Sequence, residues 1–289
     1  MNILVTTDGS ERSLDVLPHV GRLAAELGSG VVLLRVLNPL TDVASEFSVD
    51  LEAACAKVTH AWQGELTALL RRFDIVGEPL VGRLQHGEDV HDAILRIAGQ
   101  REASLVAMHS RGSGALRHAL LGSVALGVLG KIDVPIFLTG GNAGPPRTGA
   151  GYRIVATSDG SPASTKILAA LAPILKGTAA NVSLLRVCEP RSGRASPEAE
   201  IETATAQLKS LLPLLPAEVA GETRCRVCHH DEDVATAIVE GARELGADAI
   251  ALSTHGESAL RHLIAGSVAL SVLERSPLPV ILSRSTGTN

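Results

Sequence analysis

Apolar positions along the chain fall into two kinds of run. ILVT at 3–6, VVLLRV at 31–36 and SLVAM at 104–108 are short, rich in β-branched residues and bounded by turn residues. Strands buried on both faces of a parallel sheet read this way. Between them, SLDVLPHVGRLAAELG at 13–28, the region 50–74 and EDVHDAILRIAGQ at 88–100 repeat apolar residues at spacings of three and four. That period predicts amphipathic helices, the first of them closed by Gly28. Strand and helix in alternation, with crossovers of this length, make a right-handed parallel α/β sheet. Ligands of such sheets sit beyond the carboxyl ends of the strands.

The pattern occurs twice. NILVTTDGSERS at 2–13 matches RIVATSDGSPAS at 153–164, and VVLLRVLNP at 31–39 matches VSLLRVCEP at 182–190. From His86 to Gly140 the chain runs ungapped beside His230 to Arg284, so GSGALRHALLGSVAL at 112–126 returns as GESALRHLIAGSVAL at 256–270. A repeat of this length implies two tandem domains. They are expected at 1–140 and 152–289, joined by the Gly/Pro-rich linker 141–151, which has no periodic core face.

Composition narrows the function. The 289 residues are 45% apolar, yet no apolar run approaches the ~18 to 20 residues of a membrane helix. The N-terminus lacks the pattern of an export signal, so the expected location is cytoplasmic, with no membrane partner. A net charge of −5 with interspersed signs, and aromatics at only 2%, argue against a nucleic-acid partner. CRVCH at 225–229 formally matches a haem attachment pattern, but the repeat aligns Cys225 with Val81 and Cys228 with Leu84. Those are strand positions, where cysteine serves as a small buried hydrophobe.

Candidate chemistry lies at two strand ends. The first strand of each copy ends in Asp8-Gly9-Ser10 or Asp159-Gly160-Ser161. The serines, with Pro162 after the second, read as helix N-caps. Each aspartate is either a turn former or an acceptor for a ribose hydroxyl or adenine amine, and the residues alone leave both open. The fourth strand leads to Gly112 or Gly256 and, after nine intervening residues, to Gly122-Ser123-Val124 or Gly266-Ser267-Val268 at a helix start. Unpaired N–H groups and a hydroxyl at the positive end of a helix dipole make an anion site. The competing reading makes Ser123 and Ser267 plain N-caps. Neither G-x-x-x-x-G-K-[ST] nor G-x-G-x-x-G is present: in GVLGKI, Ala125 and Ile132 break the first, and Arg117 breaks the second.

ILVTTDGS, LLRV and the G-x9-G-S-V block followed by DVPIFL or LPVIL together resemble the universal stress proteins, over nearly the whole chain and twice. The resemblance implies two tandem Rossmann-like domains of the adenine nucleotide alpha-hydrolase type. Each would have a five-stranded parallel sheet ordered 3-2-1-4-5 with helices on both faces. It also implies ATP or ADP, with Mg²⁺, bound by a fuller G-x2-G-x9-G-[ST] pattern. Carried over, Asp8 and Asp159 meet adenosine and the backbone of Val36 and Val187 meets adenine. Gly112, Gly122, Ser123 and Val124, with Gly256, Gly266, Ser267 and Val268, hold ribose and phosphate. The first glycine of that pattern is His109 in one copy and Ser253 in the other, and Glu257 stands where the first copy has Ser113. Arg117-His118 and Arg261-His262 read as phosphate contacts or surface ion pairs.

The expected function is a nucleotide-responsive stress-response module without recognisable catalytic apparatus. A nucleotide-free interaction scaffold and an ATP-cleaving enzyme are the alternatives. Partners expected besides the adenine nucleotide are the chain's own two last strands paired with each other, a second copy in a homodimer, and a regulatory protein.

Overall fold

The computed structural model describes residues 1–43, 50–111, 121–189, 197–228, 232–254 and 265–284. They form two compact units, Met1–Ile132 and Asp133–Asn289.

The first unit runs β1 (Asn2–Thr6), α1 (Glu11–Leu14), α2 (Leu17–Leu27), β2 (Gly30–Leu37), α3 (Pro39–Asp42), α4 (Leu51–Arg72), β3 (Gly77–Arg83), α5 (Val90–Gln100), β4 (Ala103–His109) and α6 (Ser123–Lys131). Its sheet is ordered β3-β2-β1-β4 and is parallel throughout. Ile3, Leu4, Val5, Leu33 and Leu34 are wholly buried, as strands covered on both faces require. The single helix expected at 13–28 is broken into α1 and α2, because Pro18 can sit only in the first turn of a helix. Gly28 closes α2 with φ 60°, as its position in the sequence implied.

The second unit runs β5 (Ile136–Thr139), β6 (Arg153–Thr157), α7 (Lys166–Leu175), β7 (Asn181–Cys188), α8 (Pro197–Leu211), a 3-10 turn at Leu212–Leu214, β8 (Ala220–Val227), α9 (Val234–Glu244), β9 (Ala249–Ser253), α10 (Ser267–Arg275) and β10 (Val280–Ser283). Its strand order is β5-β10-β9-β6-β7-β8, so the five strands of the second repeat follow 3-2-1-4-5. All neighbours are parallel except β5, which runs antiparallel to β10 with Phe137 opposite Ile281. The repeat assigns β5 to the first copy, and its ladder to β10 lies inside the second unit. The last strands of the two copies are therefore hydrogen-bonded neighbours.

The Gly/Pro-rich stretch after β5 is strapped to this unit. Asn142 Nδ2 donates to Glu274 O (2.7 Å) and Gly144 N to Pro277 O (2.9 Å). Arg147 reaches both oxygens of the buried Asp248 at 3.1 and 3.3 Å. A segment without a core face still has backbone and side-chain polar groups to satisfy, and here the rest of the same unit satisfies them. Among the described residues no helix is long and apolar enough to cross a membrane.

Candidate functional site

The turn after each first strand is built on its aspartate. Ser10 N and Ser10 Oγ donate to Asp8 Oδ1 (2.9 and 2.5 Å), and Ser161 N donates to Asp159 Oδ1 (2.9 Å). One oxygen of each carboxylate thus shapes the turn. Gly9 and Gly160 follow at φ 83° and 87°, and a guanidinium, of Arg35 or Arg186, lies where a β-carbon on either would sit. Ser10 caps α1 by accepting from Ser13 N (3.3 Å). Ser161 differs from its expected role. It accepts from Ser164 N (3.2 Å) in a turn, and α7 starts only at Lys166, so Pro162 belongs to that turn and not to the helix.

The second pair of serines departs from the capping reading. The N-caps of α6 and α10 are Gly122 and Gly266, both extended, at φ/ψ −71°/160° and −69°/158°. Neither helix has a side-chain cap bond, and Ser123 and Ser267 are the first helical residues. Their hydroxyls stand in the first turn and do not cap it. The caps are held to the preceding strands: Gly122 N donates to Ser110 O (2.7 Å), and Gly266 N to Thr254 O (2.5 Å).

In the second unit these elements close around a cavity of about 600 Å³. Asp159, Val187, Ser253, Gly266, Ser267 and Val268 all line it. Six of the seven positions expected for this copy therefore come together, and the seventh, Gly256, lies outside the described residues with Glu257, Arg261 and His262. Ser253 donates toward Ser164 O (3.2 Å) and stands 3.4 Å from Ser283 Oγ, while Ser158 and Ser164 share a hydroxyl bond of 2.8 Å. A small hydroxyl in place of the first glycine thus turns into a serine network at the strand ends. The wall also contains residues that motif reading missed: Arg186, Cys188, Glu200, Thr203 and Gln207. The signal available for the last three was their spacing, one face of α8.

In the first unit Asp8, Val36, His109, Gly122, Ser123 and Val124 occupy the corresponding strand ends and helix start. Gly112, with Ser113, Arg117 and His118, lies outside the described residues. His109 is 7% exposed, and burial pulls its pKa below the ordinary imidazole value. Asp15 and Asp8 oppose that shift, while Arg111 and Arg12 add to it. A buried imidazole stands where the family pattern has its first glycine.

Asp89, His91 and Asp92 are the one group of potential metal ligands among the described residues. The Lys131 ammonium already bonds Asp92 Oδ1 (2.6 Å) and His91 Nε2 (3.2 Å), and Arg275 pairs with Asp233 at the corresponding place of the second copy. The position is a helix-to-helix ion pair. Of the CRVC cysteines, Cys225 lies in β8 and Cys228 extends its ladder by donating to Cys188 O (2.9 Å). Cys228 is buried, and that burial raises its pKa. His229 is outside the described residues.

The universal stress protein family model matches residues 1–139 and 152–284. A universal stress protein of Synechocystis is 25% identical over 98% of this chain and 99% of its own. The crystal structure of a universal stress protein from Archaeoglobus fulgidus superposes with a TM-score of 0.64 at 20% identity, covering 99% of this chain and 98% of that one. A functionally unknown protein from Pseudomonas aeruginosa gives 0.57 at 16% identity, over 98% and 92%.

Proposed function

Because the chain belongs to the universal stress protein family, we propose that it binds ATP or ADP with Mg²⁺ and acts as a nucleotide-responsive regulatory module in the cytoplasm. The observation that carries this reading is the convergence of Asp159, Val187, Ser253, Gly266, Ser267 and Val268 on one cavity whose volume suits a small ligand. The extended Gly266 and first-turn Ser267 favour an anion over a cap, since the hydroxyl makes no cap bond.

In this reading the backbone of Val187 meets the adenine edge and Asp159 receives a hydroxyl or amine of the nucleoside. The N–H groups that open α10, with the Ser267 hydroxyl, face the phosphates. The described wall carries three carboxylates, Asp159, Glu189 and Glu200, against one guanidinium, Arg186. A polyphosphate in such surroundings needs a counter-charge, which Mg²⁺ supplies when bound. A homodimer and a regulatory protein partner belong to the same proposal.

Mass spectrometry of nucleotide released from the purified chain, followed by calorimetric titration with Mg-ATP, tests the reading. Recovery of an adenine nucleotide and saturable binding are expected. A chain that carries none and binds neither ATP nor ADP would overturn it.

A further inference from the structure

The two copies also differ where the family motif is silent, along the helix that follows the second strand of each copy. On α4, Ala54, Cys55, Val58 and Trp62 are spaced i, i+1, i+4, i+8, one helical face. They pack on Leu37 of β2 together with Val43 and Val81, and Leu37, Val43 and Cys55 are all at most 3% exposed. The indole of Trp62 carries the Arg35 guanidinium 3.6 Å from its ring centroid. Arg35 Nη1 also bonds Glu65 Oε2 (3.0 Å), and the same guanidinium lies 2.8 Å from where a β-carbon on Gly9 would be. Turn backbone, guanidinium and indole are stacked in contact across the end of β1 and β2.

On α8 the same spacing holds Ala199, Glu200, Thr203 and Gln207. These four line the cavity, with Cys188 where the first copy has Leu37. Arg186, the repeat partner of Arg35, lies over Gly160 as Arg35 lies over Gly9, but it meets the amide of Gln207 instead of an indole and a carboxylate. Each exchange from first copy to second, Trp to Gln, Val to Thr, Cys to Glu, Leu to Cys, replaces apolar surface with a hydrogen-bonding group or removes volume. A packed apolar stripe resists a polar ligand, because entry would break close packing and leave the ligand's polar groups unpaired. A polar stripe around a cavity offers them partners.

We propose that the chain carries one working nucleotide site, in the second unit, and that the corresponding cleft of the first unit is filled by its own Trp62, Val58 and Arg35. The proposal rests on the adenine-nucleotide reading above and assigns Glu200, Thr203 and Gln207 as residues that set which ligand the site accepts.

Titration calorimetry of the full chain with Mg-ATP is expected to give one nucleotide per chain. Hydrogen exchange of the wild type at saturation should show protection in peptides covering 157–160, 185–189, 197–207 and 265–270, and none across 35–38 and 54–62. Emission of Trp62, the only tryptophan, should stay constant through the titration. Gln207→Trp combined with Thr203→Val copies the first stripe into the second and should weaken binding at least about tenfold with the melting curve preserved. Two nucleotides per chain, protection in the first unit, Trp62 emission that follows saturation, or undiminished affinity in the folded double variant would each overturn the single-site assignment. A stoichiometry of zero in the wild type would instead overturn the nucleotide reading itself, and the assignment with it.

Discussion

Ser267→Ala separates a ligand group from a cap more sharply than any other single change. A serine that capped α10 would cost about 0.5–2 kcal/mol of stability when replaced by alanine. Gly266 holds the cap position, however, and Ser267 is the first helical residue with no cap bond, so the hydroxyl contributes little to the free protein. Alanine is also the better helix former, by roughly half a kcal/mol. The melting temperature of the variant should therefore equal or slightly exceed that of the wild type. In the complex the same hydroxyl would donate to a phosphate oxygen, a charge-assisted bond worth about 1.5–3 kcal/mol. At about 1.4 kcal/mol per decade, Kd for Mg-ATP should rise by roughly 10- to 150-fold. Thermal melts without nucleotide and calorimetry with it, on the same preparations, read the two quantities separately. Unchanged affinity would refute the phosphate role, and a melting drop as large as the affinity loss would restore the capping reading.

Three further outcomes can be checked. Asp233, held to a pKa of about 2 chiefly by Arg275 and also by the Thr236 N–H, has its pKa depressed by folding. Its contribution is present above the ordinary carboxylate value and fades as pH falls toward about 2, so Asp233→Asn should flatten the acid limb of urea-measured stability; an unaltered limb would show that the pair contributes nothing. Gly140→Ala would drive a β-carbon into the carbonyl oxygen of Leu273, a backbone atom that cannot swing aside, and should lower stability by about 1–3 kcal/mol in chemical denaturation. Cys188 lines the cavity and burial raises its pKa, so alkylation should be slow near neutral pH, faster at higher pH, and slowed further by saturating nucleotide. Equal rates with and without ligand would place the thiol outside the bound site.

The parallel α/β class was legible because its core is encoded by composition, whereas the order 3-2-1-4-5 came only from the resemblance to the family. ILVT, VVLLRV and SLVAM cannot stand at a surface, and the crossover rule leaves few ways to connect them. The repeat then doubled every reading. Helix boundaries were less legible where a local conflict had to be resolved: Pro18 split one expected helix, and Pro162 delayed another until Lys166. The strapped linker was invisible because its partners, Glu274 O, Pro277 O and Asp248, lie 101 to 133 residues away in the chain. Periodicity reports which face of an element is buried and says nothing about what an irregular segment lies against.

Motif reading found the parts of the cleft that the two copies share, and it separated the copies only at His109 against Ser253 and Ser113 against Glu257. Asp8 and Asp159, or Ser123 and Ser267, are the same residue in the same local geometry, so duplication argues equally for both sites. A further difference sits in residues that a motif treats as spacers. Val58 and Trp62 on one helix, Thr203 and Gln207 on the other, obey the same helical period and would each be read as an inward face. Only the partners across the cleft give that face its meaning: Leu37 and the Arg35 guanidinium complete an apolar stack, whereas Cys188 and Arg186 border a cavity. In the single-site proposal the two copies share the turn and helix-start backbone, and side chains on the helix after the second strand decide which copy holds the ligand.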